Sequence, residues 1–443
     1  MLRTLWARRP LRWLLAFAAL VALWGVGRLT QVAWQSLYSG ERLPYLQRLA
    51  PTQVTIRWQT VEDSEGVVRY GPDSRLEFTA GEGRGRQHEV VLEGLHAGTR
   101  YFYAAGGHEP ASFVTPPTPG SDVPVRLWAI GDSGQVGEGL LAVRDAAVRW
   151  MEANPRGDRP LFDAGLALGD NAYRSGTNPQ YQAAYFGPYG ALLRAFMFWP
   201  AYGNHDARRW TYFRVMTLPE NGKAGGIPSG TEHWYAFDHG PVHVVVLDSE
   251  ASDRASDGRM LQWLREDLAA NRLPWLIAVM HHPPYTDASH RSDDPGDSGG
   301  RMRDMRENAL PILEAGGVDL VLSGHSHSYE RSHLLDCHYG TSDTLVPGMV
   351  MARGGDGAVF EKPSAGRAAH EGAVYVVAGS SSKLDSAEFG HPAIAASQRR
   401  LGSVVIDVAG KRLDARFIDS EGSVRDRFAI VKGSGTVRPN VCR

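Results

Sequence analysis

Between Pro44 and Thr115 the apolar residues fall in short runs of period two. "VTIRWQT" (54–60) alternates, "GVVRYGP" (66–72) follows, and "HEVVLEGLHAGTRYFYAA" (88–105) sets Leu95, Gly98, Thr99 and Tyr101 ahead of another alternating stretch. Short strands separated by turn residues predict a small β-sandwich, with Tyr101 placed as a tyrosine corner. "TPPTPGSDVP" (115–124) then interrupts the pattern with four prolines and reads as a linker.

After the linker the rhythm changes to strand, polar loop and helix. "VRLWAI" (125–130) precedes Gly131-Asp132, and a helical pattern runs from Glu138 to Ala153. "LFDAGLAL" ends at Gly169-Asp170, "FMFWPAY" at Gly203-Asn204, "PWLIAVM" at His281 and "GVDLVLS" at Gly324-His325. Five apolar runs therefore end in a polar or ionisable residue, most of them after a glycine that permits a sharp turn. In α/β folds, ligand sites gather at the carboxyl ends of strands, so the five endings point to one shared site. "GAVYVVAGSSSKL" (372–384) predicts a further core strand, and the alternating tail 401–431 predicts a closing antiparallel set.

Composition agrees with a folded, loop-rich chain: 443 residues allow two or three domains, with 43% hydrophobic and 22% charged residues, 50 Gly and 26 Pro. The net charge of −2 supplies no field that would gather nucleic acid, so no specific nucleic-acid partner is expected and a phosphate-bearing ligand must be held locally. At the N-terminus, Arg3, Arg8, Arg9 and Arg12 precede an uncharged run from Trp13 to Gly27. Residues 1–33 thus read as a signal peptide or an uncleaved membrane anchor, which makes the protein exported: periplasmic, secreted or anchored facing outside. Only Cys337 and Cys442 occur, and export would let them form one bridge; two unpaired cysteines are the alternative.

The strand endings supply Asp132, Asp170, Asn204, His281, His325 and His327, with Tyr173 three residues after Asp170. Any one of these alone reads as a turn, cap or core residue. Together, hard oxygen donors mixed with imidazoles suit borderline transition metals better than calcium. Seven donors are too many for one tetrahedral ion and enough for two ions that share a carboxylate. In an extended "GHSH" segment, His325 and His327 would face the same way and Ser326 the other.

"GDSG" (131–134), "GDNAY" (169–173), "GNHD" (203–206), "VMHHPPY" (279–285) and "GHSHSYER" (324–331) together resemble the calcineurin-like metallophosphoesterases, and among them the purple acid phosphatases. The sandwich ahead of them resembles a fibronectin type III module. The resemblance implies a four-layer αββα core over residues 125–433, preceded by an all-β module (42–116) and linker (117–124) and followed by a tail (434–443). It makes Asp132, Tyr173 and His327 ligands of one metal and Asn204, His281 and His325 ligands of a second, bridged by Asp170. Tyr173 as a phenolate ligand implies Fe(III) at the first position; Zn, Mn or Fe(II) fits the second.

The activity implied is hydrolysis of small phosphate monoesters by in-line attack of a hydroxide held between the metals. His205 is the candidate general acid, and His290 a second catalytic candidate on the substrate side. His282 is a neighbour of the ligands, and Arg331 either binds phosphate or forms a structural ion pair. A phosphodiesterase on the same centre is an alternative, as is a cell-surface binding protein with a vestigial metal core. The other histidines, His243 and His370 among them, read as structural or solvent-facing, while a place at the rim of the site stays open for His391.

Overall fold

The computed structural model describes residues 9–35, 37, 40–435 and 442. The first eight residues, and with them Arg3 and Arg8 of the expected signal segment, lie outside the described residues, as does most of the tail beyond residue 435. A helix runs from Arg9 to Gln35 and leaves Trp13, Leu14, Phe17, Leu20, Leu23 and Trp24 exposed. Among the described residues no helix is long and apolar enough to cross a membrane.

The β-module has two antiparallel sheets. One orders Arg42–Ala50, Gln53–Glu65 and Arg84–Glu93; the other orders Phe78–Ala80, Val68–Gly71, Arg100–Ala105 and Ala111–Val114. Inward positions at period two (Val54, Ile56, Trp58; Val90, Leu92; Tyr101, Tyr103) form the core between them. The backbone N–H of His96 donates to the Tyr101 hydroxyl at 3.1 Å, the contact expected of a tyrosine corner.

Residues 115–124 contain neither helix nor strand. Beyond them, two seven-stranded sheets lie face to face. The first orders Phe198–Pro200, Ala164–Ala167, Val125–Ile130, Gly402–Ala409, Arg412–Asp419, Val424–Lys432 and Ala358–Lys362. The second orders Tyr235–His239, Val242–Leu247, Trp275–Met280, Leu320–Ser323, Val374–Ala378, Tyr329–Ser332 and Ile394–Gln398. The tail 401–431 does form the closing antiparallel strands of the first sheet.

Layering follows from side-chain alternation in strands buried on both faces. Val244, Val246, Ile277 and Val279 point into the core between the sheets, whereas Val245, Leu247, Ala278 and Met280 point outward into a separate cluster. That outer cluster is closed by Met260, Leu261, Leu264 and Leu268 of the helix Arg259–Ala270. On the other side, the helix Glu138–Ala153 buries Leu140, Val143, Ala147 and Met151, spaced as one helical face, and lies against Gly402–Ala409 and Arg412–Asp419. Helix, sheet, sheet and helix give the expected four-layer αββα architecture.

Candidate metal centre

Five of the seven expected ligands sit just beyond the carboxyl ends of buried parallel strands, and Tyr173 and His327 follow in the loops after Asp170 and His325. Val125–Ile130, Ala164–Ala167 and Phe198–Pro200 lead to Asp132, Asp170 and Asn204; Trp275–Met280 and Leu320–Ser323 lead to His281 and His325. Parallel pairing within each sheet brings these endings to one edge. Close approach of the loops requires glycine: a Cβ on Gly203 would lie 2.2 Å from the Asp170 nitrogen, and one on Gly324 would lie 2.5 Å from Asp132 Oδ2.

Two groups of donors result. Tyr173 donates its hydroxyl to Asp132 Oδ1 at 2.9 Å and lies 3.1 Å from His327 Nε2, which is itself 3.3 Å from Asp132 Oδ1. Nearby, His281 Nε2 is 3.1 Å from Asn204 Oδ1 and 3.5 Å from Asp170 Oδ1. Donor atoms of Asp132, Asp170 and His281 lie within 4.8 Å of one another, which joins the groups. The His325 ring lies 5.1 Å from that of His281. Asp132, Asp170 and His325 all have positive φ, at 54°, 54° and 68°. For residues with side chains this costs about 1–3 kcal/mol each and is characteristic of functional sites.

The left-handed His325 corrects the extended "GHSH" expectation. Ser326 N–H donates to Gly324 O at 2.8 Å and Ser328 N–H to Ser326 O at 2.7 Å, so the segment is tightly turned. The turn lets the His325 N–H donate to Asp132 Oδ2 at 2.7 Å, and this long-range hydrogen bond overrides strand alternation.

The imidazoles are also held from behind. His281 Nδ1 bonds Leu168 O at 2.9 Å, His327 Nδ1 bonds Asp385 Oδ2 at 2.5 Å, and His325 Nε2 bonds Ser298 Oγ at 2.6 Å. His281 and His327 thus each have Nδ1 committed and Nε2 facing the donor cluster, the arrangement that fixes a metal-binding tautomer, while His325 has Nε2 committed to Ser298. Asp206 is a further brace. It accepts from the N–H of Gly203 and Asn171, both at 3.1 Å, and from the Tyr181 hydroxyl at 2.5 Å, so the Asn204 loop is riveted to the Asp170 loop. The Ser380–Ser382 segment fastens the loop of Asp385 to "GDSG" in the same way, with Ser381 N–H donating to Gly131 O at 3.0 Å.

Burial raises the Asp170 carboxyl, and Asp132's charge adds to the effect. For Asp132, burial acts upward, but the hydrogen bond and charge of His327 outweigh it and hold the carboxyl below its usual range. Burial beside these two carboxylates raises Tyr173 well above 10. Two buried carboxylates and a phenol packed against the His281 and His327 imidazoles fit metal cations, which reverse such penalties.

His205 stands at the rim. Its Nδ1 bonds Arg174 O at 2.7 Å, leaving Nε2 3.8 Å from Asp170 Oδ2, and burial lowers its pKa. His290 is not among the inward donors: it stacks on His325 at 3.9 Å between centroids, with Nδ1 2.9 Å from Asp297 Oδ1. His282 is buried beside the ligands, 2.9 Å from Ser249 Oγ. Arg331 is a structural cation, its Nε 2.6 Å from the buried Asp426 Oδ2. His391 is buried, and its Nδ1 accepts from the Ala393 N–H at 3.1 Å.

Sequence reasoning missed Asp206, Ser298 and Asp385. Asp385 follows the apolar run 373–378 through a small-residue loop, so the logic of strand endings could have found it. Ser298 lies in "DDPGDSGG", which has no periodic signal.

Residues 125–329 match the calcineurin-like phosphoesterase family model, and residues 44–117 match the purple acid phosphatase N-terminal domain. Purple acid phosphatase 21 of Arabidopsis thaliana is 30% identical over 287 residues, 60% of this chain and 60% of that protein. Purple acid phosphatase 18 of the same plant is 27% identical over 314 residues, 66% of each. The chain therefore spans somewhat less than two thirds of these relatives. A purple acid phosphatase from yellow lupin (Lupinus luteus) seeds shares the fold, with a TM-score of 0.66 at 17% identity over 88% of this chain and 74% of that one. The chain thus joins a purple acid phosphatase N-terminal domain to a calcineurin-like phosphoesterase domain, and the relatives it is similar to across them are purple acid phosphatases.

Proposed function

We propose that this protein hydrolyses small phosphate monoesters at a binuclear metal centre. Asp132, Tyr173 and His327 would hold one ion, Asn204, His281 and His325 the other, and Asp170 would lie between them. The observation that carries the reading is the pair of donor groups joined through Asp132, Asp170 and His281, with histidine nitrogens anchored from behind. Tyr173 favours Fe(III) at the first position, while the neutral amide of Asn204 leaves Zn, Mn or Fe(II) for the second. Bound there, two such ions activate water and offset the charge of the phosphoryl oxygens.

The chain's own residues supply positioning and proton transfer. The turns at Asp132, Asp170 and His325 fix the carboxylates and imidazoles before substrate arrives. His205, held through Nδ1 by Arg174 O, presents Nε2 toward the donor cluster and protonates the departing alkoxide. His290, held by Asp297 and stacked on His325, lines the substrate side. We assign 42–116 to the sandwich, 117–124 to the linker and 125–433 to the hydrolytic domain, with export or outward anchoring through residues 1–33.

Metal analysis joined to turnover of p-nitrophenyl phosphate and bis(p-nitrophenyl) phosphate tests this reading. Two ions per chain and a higher kcat/KM for the monoester are expected. Preference for the diester would make the protein a phosphodiesterase, and absence of metal and turnover in folded protein would leave a binding role.

A further inference from the structure

A second set of metal-ligating side chains converges far along the chain from the "GDSG" and "GDNAY" loops. Asp336 and Cys337 follow the short strand Leu334–Leu335, His370 precedes the strand Val374–Ala378, and Cys442 comes from the C-terminal segment. Cys337 and Cys442 are paired as a disulfide, with Cα atoms 5.3 Å apart across a separation of 105 residues. His370 Nδ1 lies 3.1 Å from Cys442 Sγ, 3.8 Å from Cys337 Sγ and 3.1 Å from Asp336 Oδ1. One imidazole nitrogen therefore faces two sulfurs and a carboxylate oxygen, and a single N–H can satisfy only one of them.

Asp336 supplies an independent observation. It is 1% exposed, and its Oδ2 has no hydrogen-bond partner among the described residues. Its ion pair among the described residues is with His370. The adjoining Glu314 is also buried, accepting from the Cys337 N–H at 2.8 Å and the Tyr339 hydroxyl at 2.7 Å. A buried carboxylate with an orphaned oxygen, beside a second buried carboxyl, is a place where a cation removes a desolvation penalty.

We propose that Asp336, Cys337, His370 and Cys442 form a tetrahedral zinc site when the two cysteines are reduced, an alternative to the disulfide between the same sulfurs. All four side chains offer donor atoms within 4.8 Å of one another. Bonds of about 2.3 Å to sulfur and about 2.0 Å to nitrogen require S···N edges of roughly 3.5 Å, which the two observed S···N distances bracket. Two thiolates, one imidazole and one carboxylate select a borderline transition ion over calcium or magnesium. Opening the disulfide takes two electrons and two protons: two thiols supply both and become a disulfide, whereas a phosphine supplies the electrons and becomes its oxide with the oxygen of a water that supplies the protons. Zinc binding then releases the two thiol protons, and the sulfurs part to span the ion. Either state ties the C-terminal segment to residues 336–337.

The test uses the full chain with its binuclear centre loaded, reduced with a phosphine, desalted without oxygen and titrated with Co2+. A thiolate-to-cobalt charge-transfer band should appear at one equivalent and be bleached by Zn2+; ions at the binuclear centre, which has no sulfur donor, give no such band. His370→Ala, which keeps both thiols, should weaken cobalt binding at least about tenfold, and Asp336→Asn should do likewise. Cys442→Ser should abolish the band while p-nitrophenyl phosphate turnover stays within twofold. Absence of a sulfur band in reduced wild-type protein, or a band that His370→Ala and Asp336→Asn leave at full affinity, would overturn the site.

Discussion

At the scale of single residues, the centre separates side chains that would hold metal from those that orient the holders. Tyr173 packs its hydroxyl between Asp132 and His327, so Tyr173→Phe should abolish a visible phenolate-to-iron band while iron stays bound; absorption and metal analysis on one sample check this. His205 offers Nε2 at the rim, and His205→Ala should keep both metals yet slow turnover by roughly 10²–10⁴, most for esters with poor leaving groups. Full activity of that variant on alkyl phosphates would remove His205 from proton transfer. Asp385 acts through His327: Asp385→Ala should weaken metal retention about 10–100-fold, measured by competition with a chelator, and Asp385→Asn should recover part of it. The residues facing the centre were legible in the sequence because each follows an apolar run, most of them with a glycine between. Those behind it were not, because Ser298 and Asp385 reach their partners through loops whose course depends on tertiary packing. The turn at His325 escaped for a similar reason, since the Asp132 carboxylate that accepts its N–H lies 193 residues away.

At the scale of elements, strands buried on both faces are the easiest to read, and the predicted runs at 125–130, 274–280 and 317–323 contain observed strands. The hairpin Tyr235–His239 and Val242–Leu247 lay outside the predicted elements, because His243 breaks its apolar run and the partners that justify an imidazole there are distant. His243 Nδ1 is 2.6 Å from Asp238 Oδ1 and Nε2 is 2.7 Å from Asp267 Oδ2, which ties the hairpin to the helix Arg259–Ala270. Burial acts to lower the His243 pKa, but the hydrogen bonds to Asp238 and Asp267 outweigh it and raise it above 6.5. A group with a raised folded pKa contributes its stability in full below the unfolded value and loses it as pH rises through the folded value. Urea unfolding of wild type should therefore weaken from about pH 6.5 upward relative to His243→Gln, which lacks the doubly paired imidazolium. Parallel pH profiles for the two proteins would show that His243 does not titrate in the folded range.

At the scale of the whole molecule, the proline-rich segment 115–124 separates two modules in sequence that share a core in space. Tyr45 of the sandwich packs on Phe186 of the larger domain with ring centroids 4.7 Å apart and donates its hydroxyl to Val215 O at 2.8 Å. Arg42 Nη2 reaches Asn178 Oδ1 at 2.6 Å, and Gln47 Oε1 accepts from the Thr217 N–H at 2.7 Å. Asn178 and Thr177 belong to the segment that follows Tyr173, so the sandwich also braces the far side of the Tyr173 loop. Deleting everything before Pro119 removes none of the seven expected metal ligands, yet it uncovers Phe186 and strands the polar partners of Arg42 and Gln47. The truncated chain should thus bind two metals and cleave small aryl phosphates, with a lower melting temperature and a tendency to aggregate. Tyr45→Ala in the full chain should reproduce the destabilisation at about 3–5 kcal/mol, the range for truncating a buried aromatic, with kcat on p-nitrophenyl phosphate little changed. If instead Tyr45→Ala left stability intact while a folded, metal-loaded truncation lost turnover, the sandwich would contribute to the site itself, through the Tyr173 loop it supports.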